Sequence, residues 1–540
     1  MNQPQPARSG GIASLMVGAG IFLSRIVGLV RERVIATCFG TSLYADVFGA
    51  ALRLPNVLQN LLGEGTLSAS FIPVYSELLG RGRHHDAGRL AGAVFALLLA
   101  IAGAIALFGM AIAPLLVTLL TPGFEGERRQ LMIAMLRILF PMTGVLVLSA
   151  WSLGILNSHR KFFVPYFAPV LWNVAIIVAL LAFNRRVDLD ELLIVAAWGA
   201  LAGGLLQFGF QLPWVLKLEK DIRFRGAQGE GTLGEVVRNA VPAILGRGVV
   251  QLSAYVDLVL ASLLAIGAVA RLRYAQTLYL LPVSLFAMSV AAAALPELAR
   301  ERADALDALR ARCAAALARV SFYVVPSFIA FVVLGNVLVA GVYQSGKFGS
   351  ADVTLVWLTL IAYSAGLLAS THARIYQSAF FALRDTRTTA RIATLRVITS
   401  GLAGAALMLQ FETVELFGRV IPSGVFGQWR VAGLPLGPVG LATGAALGAW
   451  LEWGMLRHAL RARVGDVGAG VGPLARMFVA ALLAAAAGYG LSQATPGLNA
   501  LTTAAIVVAG FGVVYFAAAR ALGLEEARTL SSSALRRLRR

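Results

Sequence analysis

Apolar runs of about twenty residues recur along this chain, separated by short connections that hold most of the charge. About twenty apolar residues is the length a helix needs to cross the hydrocarbon core of a bilayer. Such runs lie near 12–39, 46–79, 88–119, 130–156, 163–183, 190–216, 234–266, 272–298, 313–343, 352–382, 388–411, 437–460, 474–493 and 498–521. The pattern predicts an all-α polytopic membrane protein with about 14 transmembrane helices, of which the first two and the eighth are the least purely apolar. An even number of spans puts both ends of the chain on one side. The first ten residues are polar, and the run that follows has no clean small-residue cleavage site, so it is expected to stay as a span.

A weak repeat of six spans runs through the pattern. Leu54-Pro55 and Ile72-Pro73 in the second span resemble Leu281-Pro282 and Leu295-Pro296 in the eighth. Pro122-Gly123-Phe124 is echoed by Gly346-Lys347-Phe348, and Ile155-Leu156-Asn157-Ser158 by Ala382-Leu383-Arg384-Asp385. Six is even, so the copies enter the membrane in the same sense, which predicts two pseudo-symmetric six-helix lobes, 1–225 and 226–465, around a central cavity. Residues 466–540 lie outside the repeat and supply two additional helices and a basic tail. Pro55 and Pro282 are expected to bend their spans. Gly440, Gly444 and Gly448 repeat at small-xxx-small spacing and predict close helix packing, with a ligand role as the alternative.

Composition agrees: 58% of residues are hydrophobic, mean hydropathy is +0.78 and 14% are charged, against roughly a quarter charged in soluble domains. The charge is lopsided, 46 Lys and Arg against 27 Asp and Glu, net +19. Such a balance suits nucleic acid or anionic lipid, and position decides between them. The cations fall in alternate connections, among them Arg81, Arg83, Arg160, Lys161, Lys217, Arg300, Arg302, Arg384, Arg387, Arg461 and Arg536. That is the positive-inside pattern, so both termini are expected in the cytoplasm and no nucleic-acid partner is implied. Cys38 and Cys313 are the only cysteines and give neither a disulfide framework nor a metal spacing. His84, His85, His159, His372 and His458 are scattered, and no catalytic constellation or nucleotide loop stands out, so a transporter without metal or cofactor is expected rather than an enzyme.

The chemistry lies in charges inside the apolar runs. Arg25 and Arg31 sit within the first, where a charge at the bilayer centre costs at least about 2.5 kcal/mol. They are six residues apart, about 240° of arc, so a straight helix cannot aim both at one point, and Gly28 between them admits a bend. The alternatives are that Arg31 and Arg33 snorkel to the outer interface, or that Glu32 neutralises one of them. Asp46 and Arg53 share a face of the second span, with Glu64 three turns on; they form either an ion-pair set or a substrate or gating site. Arg247, Arg273 and Arg374 lie in later spans. Arg273 reads equally as an interface anchor, whereas Arg247 and Arg374 facing a cavity with Arg25 would suit a phosphate or pyrophosphate.

Ser24-Arg25-Ile26-Val27-Gly28-Leu29-Val30-Arg31-Glu32, Asp46, Arg53-Leu54-Pro55-Asn56, Glu64-Gly65 and Phe71-Ile72-Pro73 together resemble the MurJ (MviN) lipid II flippases. Thr121-Pro122-Gly123-Phe124, Gln211-Leu212-Pro213, Pro242-Ala243-Ile244-Leu245-Gly246 and Leu383-Arg384-Asp385-Thr386 extend the resemblance in the same order over nearly the whole chain. It implies a fourteen-span fold of the multidrug/oligosaccharidyl-lipid/polysaccharide exporter superfamily, its last two helices forming a groove for a lipid tail. It implies an inner-membrane flippase for the undecaprenyl-pyrophosphate-linked glycopeptide of cell-wall synthesis, with membrane lipids and cell-wall synthesis proteins as further partners. Arg25, Arg31 and Asp46 would meet the head group, Arg53, Arg247 and Arg374 would add to the site, and Ser24, Gly28, Pro55, Glu64 and Pro282 would gate or bend. No ATP site is visible, so the membrane potential or a counter-ion is the expected drive. Two positions depart from the family: Gln59 and Thr277 stand where an arginine is common. Arg247 or Arg273 would stand in for the missing charge, or the cargo is another polyprenyl-pyrophosphate-linked glycan.

Overall fold

The computed structural model describes residues 9–222, 232–287, 306–416 and 419–529. They divide into two compact units, 1–262 and 263–540. The first holds α1 (Ser9–Phe39), α2 (Leu43–Leu62), α3 (Glu64–Gly80), α4 (His84–Ala111), α5 (Ala113–Leu120), α6 (Gly126–Ser158), α7 (Phe163–Phe183), α8 (Leu189–Leu218) and α9 (Thr232–Ser262). The second holds α10 (Ala268–Pro282), α11 (Leu306–Val333), α12 (Gly335–Tyr343), α13 (Ser350–Ser364), α14 (Leu367–Ala382), α15 (Thr386–Phe411), α16 (Gly437–Val464), α17 (Val471–Ala494) and α18 (Ala500–Ala521). The six-span repeat counts α9 with the second half, yet α9 packs on α2, α3, α4 and α5 of the first unit.

Helix falls on each of the fourteen apolar runs. Among the described residues eight helices are long and apolar enough to cross a membrane, or nine if α13 and α14, bent by 41°, are one span. Other runs are in pieces. α2 runs unbroken through Pro55 and breaks at Gly63, whose backbone leaves the helical region with φ −86° and ψ −138°. The break in this run lies two turns beyond Pro55, at the glycine. Pro282 ends α10 and a π-helical turn, Val283–Ala287, follows, as expected where a missing N–H shifts the hydrogen-bond register. The echo Leu295-Pro296 lies outside the described residues, as do Arg300, Arg302 and the tail at Arg536.

The repeat shows in hydrogen bonds. The Arg160 amide donates to Asn157 and that of Lys161 to Leu156, at 3.0 and 2.8 Å; the Arg384 amide donates to Phe381 and that of Asp385 to Phe380, at 3.0 and 2.9 Å. Arg160 and Arg384 share a left-handed φ of 58°. The same spacing of 224 residues separates the buried turn residues Phe124 and Phe348, whose amides close on Thr121 and Ser345. Residue 160 thus corresponds to 384, so the motif pairing of Ile155 with Ala382 is three residues out of register. Hydrophobic matching along a helix tolerates such a slip; a turn does not.

In the first unit Phe71 and Tyr75 of α3, Leu90 and Val94 of α4 and Trp151 of α6 form the core, and the Trp151 indole donates to the Ala91 carbonyl at 3.0 Å. In the second, α17 and α18 pack on α11 through Met477, Ala481, Ala485 and Tyr515, whose hydroxyl donates to the Phe322 carbonyl at 2.6 Å. Gly440, Gly444 and Gly448 of α16 face Met408, Gly404 and Ser400 of α15, and a Cβ at any of them would collide with α15. Close packing is their role. The segment between these helices adds two hairpins that an all-α reading omits, β1 (Val414–Leu416) with β2 (Arg419–Ile421) and β3 (Arg430–Val431) with β4 (Leu434–Pro435). Ala432 and Gly433 both have positive φ, 51° and 78°, the geometry of a tight two-residue hairpin turn.

Candidate functional site

In the first unit α1 is one continuous helix, and its two arginines differ in setting. Arg25 is exposed on the helix, while Arg31 keeps only 15% of its side chain accessible. The Arg31 guanidinium donates to Glu32 Oε1 at 2.7 Å and lies 4.8 Å from the centre of the Trp172 ring on α7. Local neutralisation by Glu32 is thus the alternative the geometry realises at Arg31. Close approach of α1 to α7 is permitted at Gly20, where a Cβ would come within 2.8 Å of Tyr166, while one at Gly28 would make only an ordinary contact with Asn173 Oδ1 at 3.9 Å. That Asn173 oxygen is buried with no hydrogen-bond partner among the described residues, one turn from the Arg31 site. A guanidinium, a ring face and an orphaned acceptor side by side can bind a group that both accepts and donates hydrogen bonds, such as a phosphorylated sugar.

Asp46 is fully buried, and Arg128 at the start of α6 donates to its Oδ2 at 2.9 Å. The Arg128 guanidinium also stacks over Phe124 at 4.1 Å. Asp46 is therefore ion-paired, with Arg128 as a partner that lies far along the chain. Arg53 is half-buried on α2. Ser24 is half-buried on α1, and Pro55, Glu64 and Arg247 lie within α2, α3 and α9, their side chains outside the described set.

In the second unit a buried carboxylate organises a polar cluster. Glu452 of α16 is 1% exposed and accepts from Gln377 of α14 at 2.8 Å and from Arg396 of α15 at 2.7 Å. Arg374, one turn before Gln377, is exposed and within electrostatic reach of Arg396, Glu452 and Tyr279. The Tyr279 hydroxyl pairs with Ser370 at 2.8 Å. Two arginines against one carboxylate leave the cluster a net cation. Thr277 is half-buried on α10 and its hydroxyl donates back to the Arg273 carbonyl at 2.9 Å. Arg271 is buried to 1% and is structural: it donates to the Ile266 carbonyl at 3.0 Å. Of these groups the sequence had singled out Arg374, Arg273 and Thr277. Arg128, Arg396, Gln377, Glu452 and Trp172 escaped because each gains meaning only from a partner far along the chain; Glu452, a lone acid in an apolar run, was the one visible signal.

Two networks close the ends of helices outside the spans. The Tyr75 hydroxyl donates to Glu219 at 2.7 Å and lies 3.0 Å from His159 Nε2. Burial holds the His159 imidazole below its ordinary pKa, against the opposing pull of Glu219. Asp385 caps α15 by accepting from the Thr388 amide at 3.0 Å and hydroxyl at 2.7 Å, and from Arg463 at 2.5 Å. These bonds, those from Thr388 first, bring its pKa down to about 2. Cys38 and Cys313 are buried and form no disulfide, and among the described residues no group of three or more His, Cys, Asp or Glu could hold a metal.

The model of a protein family described as lipid II flippase MurJ matches residues 35–418. The chain belongs to the MurJ family. A MurJ relative from Burkholderia cenocepacia, named lipid II flippase MurJ, is 32% identical over 396 residues, 71% of this chain and 75% of its own. A Vibrio cholerae protein named probable lipid II flippase MurJ is 29% identical over 495 residues, 85% of this chain and 94% of its own. A solved MurJ in an inward closed conformation shares the fold with TM-score 0.73 at 23% identity, over 97% of this chain and all of that one. An inward-facing multidrug MATE transporter of the MOP superfamily follows with TM-score 0.64 at 16% identity, over 84% and 98% of the two chains. Membership of MurJ and the apolar helices together make this a multi-pass membrane protein.

Proposed function

We propose that the chain is a flippase that moves lipid II from the inner to the outer leaflet of the cytoplasmic membrane by alternating access, as a transporter and not an enzyme. The observation that carries this reading is the family match over 35–418, joined to relatives named lipid II flippase along most of their length. The polar chemistry fits such cargo. Arg25 and Arg31 on α1 offer guanidinium forks to a pyrophosphate, and Arg374 with Arg396 offers a second cationic group in the other unit. Asp46 acts through Arg128, and Glu452 through Arg396, by fixing cations rather than by meeting an anion. Arg53, Arg247 and Arg273 are the candidates for the charge absent at Gln59 and Thr277. Gly63 and Pro282 are the places where helices change course, and Gly28 leaves α1 free to bend during transport. α17 and α18 form the groove for the polyprenyl tail.

Both termini lie in the cytoplasm in this reading, because the cation-rich connections then face inward. The inside-negative potential drives an anion outward, by about 2.3 kcal/mol per charge per 100 mV. The test is complementation of a strain whose own lipid II flippase can be shut off. The parent chain is expected to restore growth, and Arg25→Ala, at equal membrane abundance, to lose it. Failure of a well-expressed parent would move the cargo to another polyprenyl-linked glycan.

A further inference from the structure

The α15–α16 pair carries a second site of its own. A groove of about 610 Å³ lies between them, lined by Arg391 on α15 and by Trp450, Leu451, Gly454, Met455 and His458 on α16. The residues from α16 recur at helical spacing and form one continuous stripe, about 12 Å from Trp450 to His458. The antiparallel register is fixed by contacts: Gly440, Gly444, Gly448 and Glu452 face Met408, Gly404, Ser400 and Arg396 in turn. Continued for one and a half turns, that register sets Arg391 level with His458. The groove is therefore basic at the end where α15 begins and α16 ends, and apolar below.

Among the described residues neither Arg391 nor His458 makes a hydrogen bond or an ion pair, and no acid lines the groove. The acids nearest in sequence are engaged elsewhere, Asp385 by Arg463 and Thr388, Glu452 by Arg396 and Gln377. The Trp450 indole is fixed at the deep end by donating to the Ala365 carbonyl at 2.8 Å. Beyond it the same face continues into Leu395, Ile398, Leu402 and Leu447, all exposed, which is the surface a membrane helix shows to lipid. At Gly454 the floor is open, with nothing within 4 Å of an added Cβ.

We propose that this groove seats one anionic glycerophospholipid of the surrounding leaflet, its phosphodiester on Arg391 and His458 and an acyl chain along Leu451, Gly454 and Met455 to Trp450. Charge complementarity selects the occupant: a zwitterionic lipid brings a cation to a rim that already holds one, and basic pockets between membrane helices are suited to acidic head groups. The site depends on residence in a membrane and not on the cargo being lipid II.

The test uses the full chain, purified in detergent, stripped of lipid, then offered phosphatidylglycerol, phosphatidylcholine or undecaprenyl phosphate, with retained lipid read by native mass spectrometry and thermal stability read alongside. The parent is expected to retain phosphatidylglycerol in preference and to be stabilised by it. Arg391→Gln should lower that retention about tenfold, the worth of one charge-assisted hydrogen bond. Gly454→Leu, whose Cβ has nothing within 4 Å and whose branch extends into the groove, should abolish retention while the melting temperature without lipid is kept. Equal retention of both lipids by the parent would overturn the proposal, as would unchanged retention in both variants or preferential capture of a polyprenyl phosphate. No outcome depends on transport, so a failed lipid site and a failed flippase reading remain distinguishable.

Discussion

Asp46 shows what a charge inside this protein does. With Arg128 it forms a pair almost sealed from solvent, 0% and 11% accessible, and such pairs cost more to break than they contribute when formed. Asp46→Asn is expected to lower unfolding stability by about 3–5 kcal/mol, read as a fall in melting temperature, and Arg128→Met added to it should recover part of the loss. Recovery of stability without recovery of transport would assign Asp46 a direct role beyond the pair. Glu452→Gln should cost less, about 1–3 kcal/mol, because Arg396 keeps 41% of its side chain accessible. A double-mutant cycle with Arg396→Met measures the coupling. The conspicuous members of these sites were legible in the sequence, since Arg25, Arg31 and Glu32 interrupt an apolar run. Their partners were not. Arg128 lies 82 residues from Asp46 and Arg396 lies 56 from Glu452, and periodicity carries no information about which distant helix a side chain will meet.

Elements were legible where the hydropathy period is long, and less so where the backbone departs from helix. Among the described residues helix falls on every apolar run, but the break in the second run lies at Gly63 and not at Pro55, because a membrane helix can absorb a proline when neighbours satisfy the freed carbonyl. The small-xxx-small run packs α16 against α15 as its spacing predicts, and glycine variants separate the two faces of α16. Gly444→Val, driven into the α15 backbone at Gly404, should destabilise the α15–α16 pair by about 1–3 kcal/mol. Gly454→Ala, with open space around it, should be neutral or stabilising by up to about 1 kcal/mol. Thermal melts of the two side by side check this. The Asp385 cap at the start of α15 has a pH signature. Its folded pKa, about 2, lies below the ordinary 3.8, so its contribution is fully present above about pH 4 and is lost as pH falls towards 2. The melting-temperature gap between parent and Asp385→Ala should stay constant from about pH 7 to about pH 4 and then close; a gap that closes near neutrality would contradict the assignment.

For the molecule as a whole, a twofold repeat was visible in motifs, and the turns at Arg160 and Arg384 make it concrete by repeating backbone conformation and hydrogen bonds 224 residues apart. The division of the chain at 262 was less legible, because packing places α9 with the first unit whereas repeat counting does not. Transport by this chain is read from the lipid II that reaches the outer leaflet in cells that depend on it. Such cells, with their own flippase shut off, would be treated from outside with an enzyme that cleaves only accessible lipid II. Expression of the chain should raise the cleaved fraction to that of unmodified cells, and Arg25→Ala should return it to background. A cleaved fraction that stays at background with the parent chain abundant in the membrane would contradict the account.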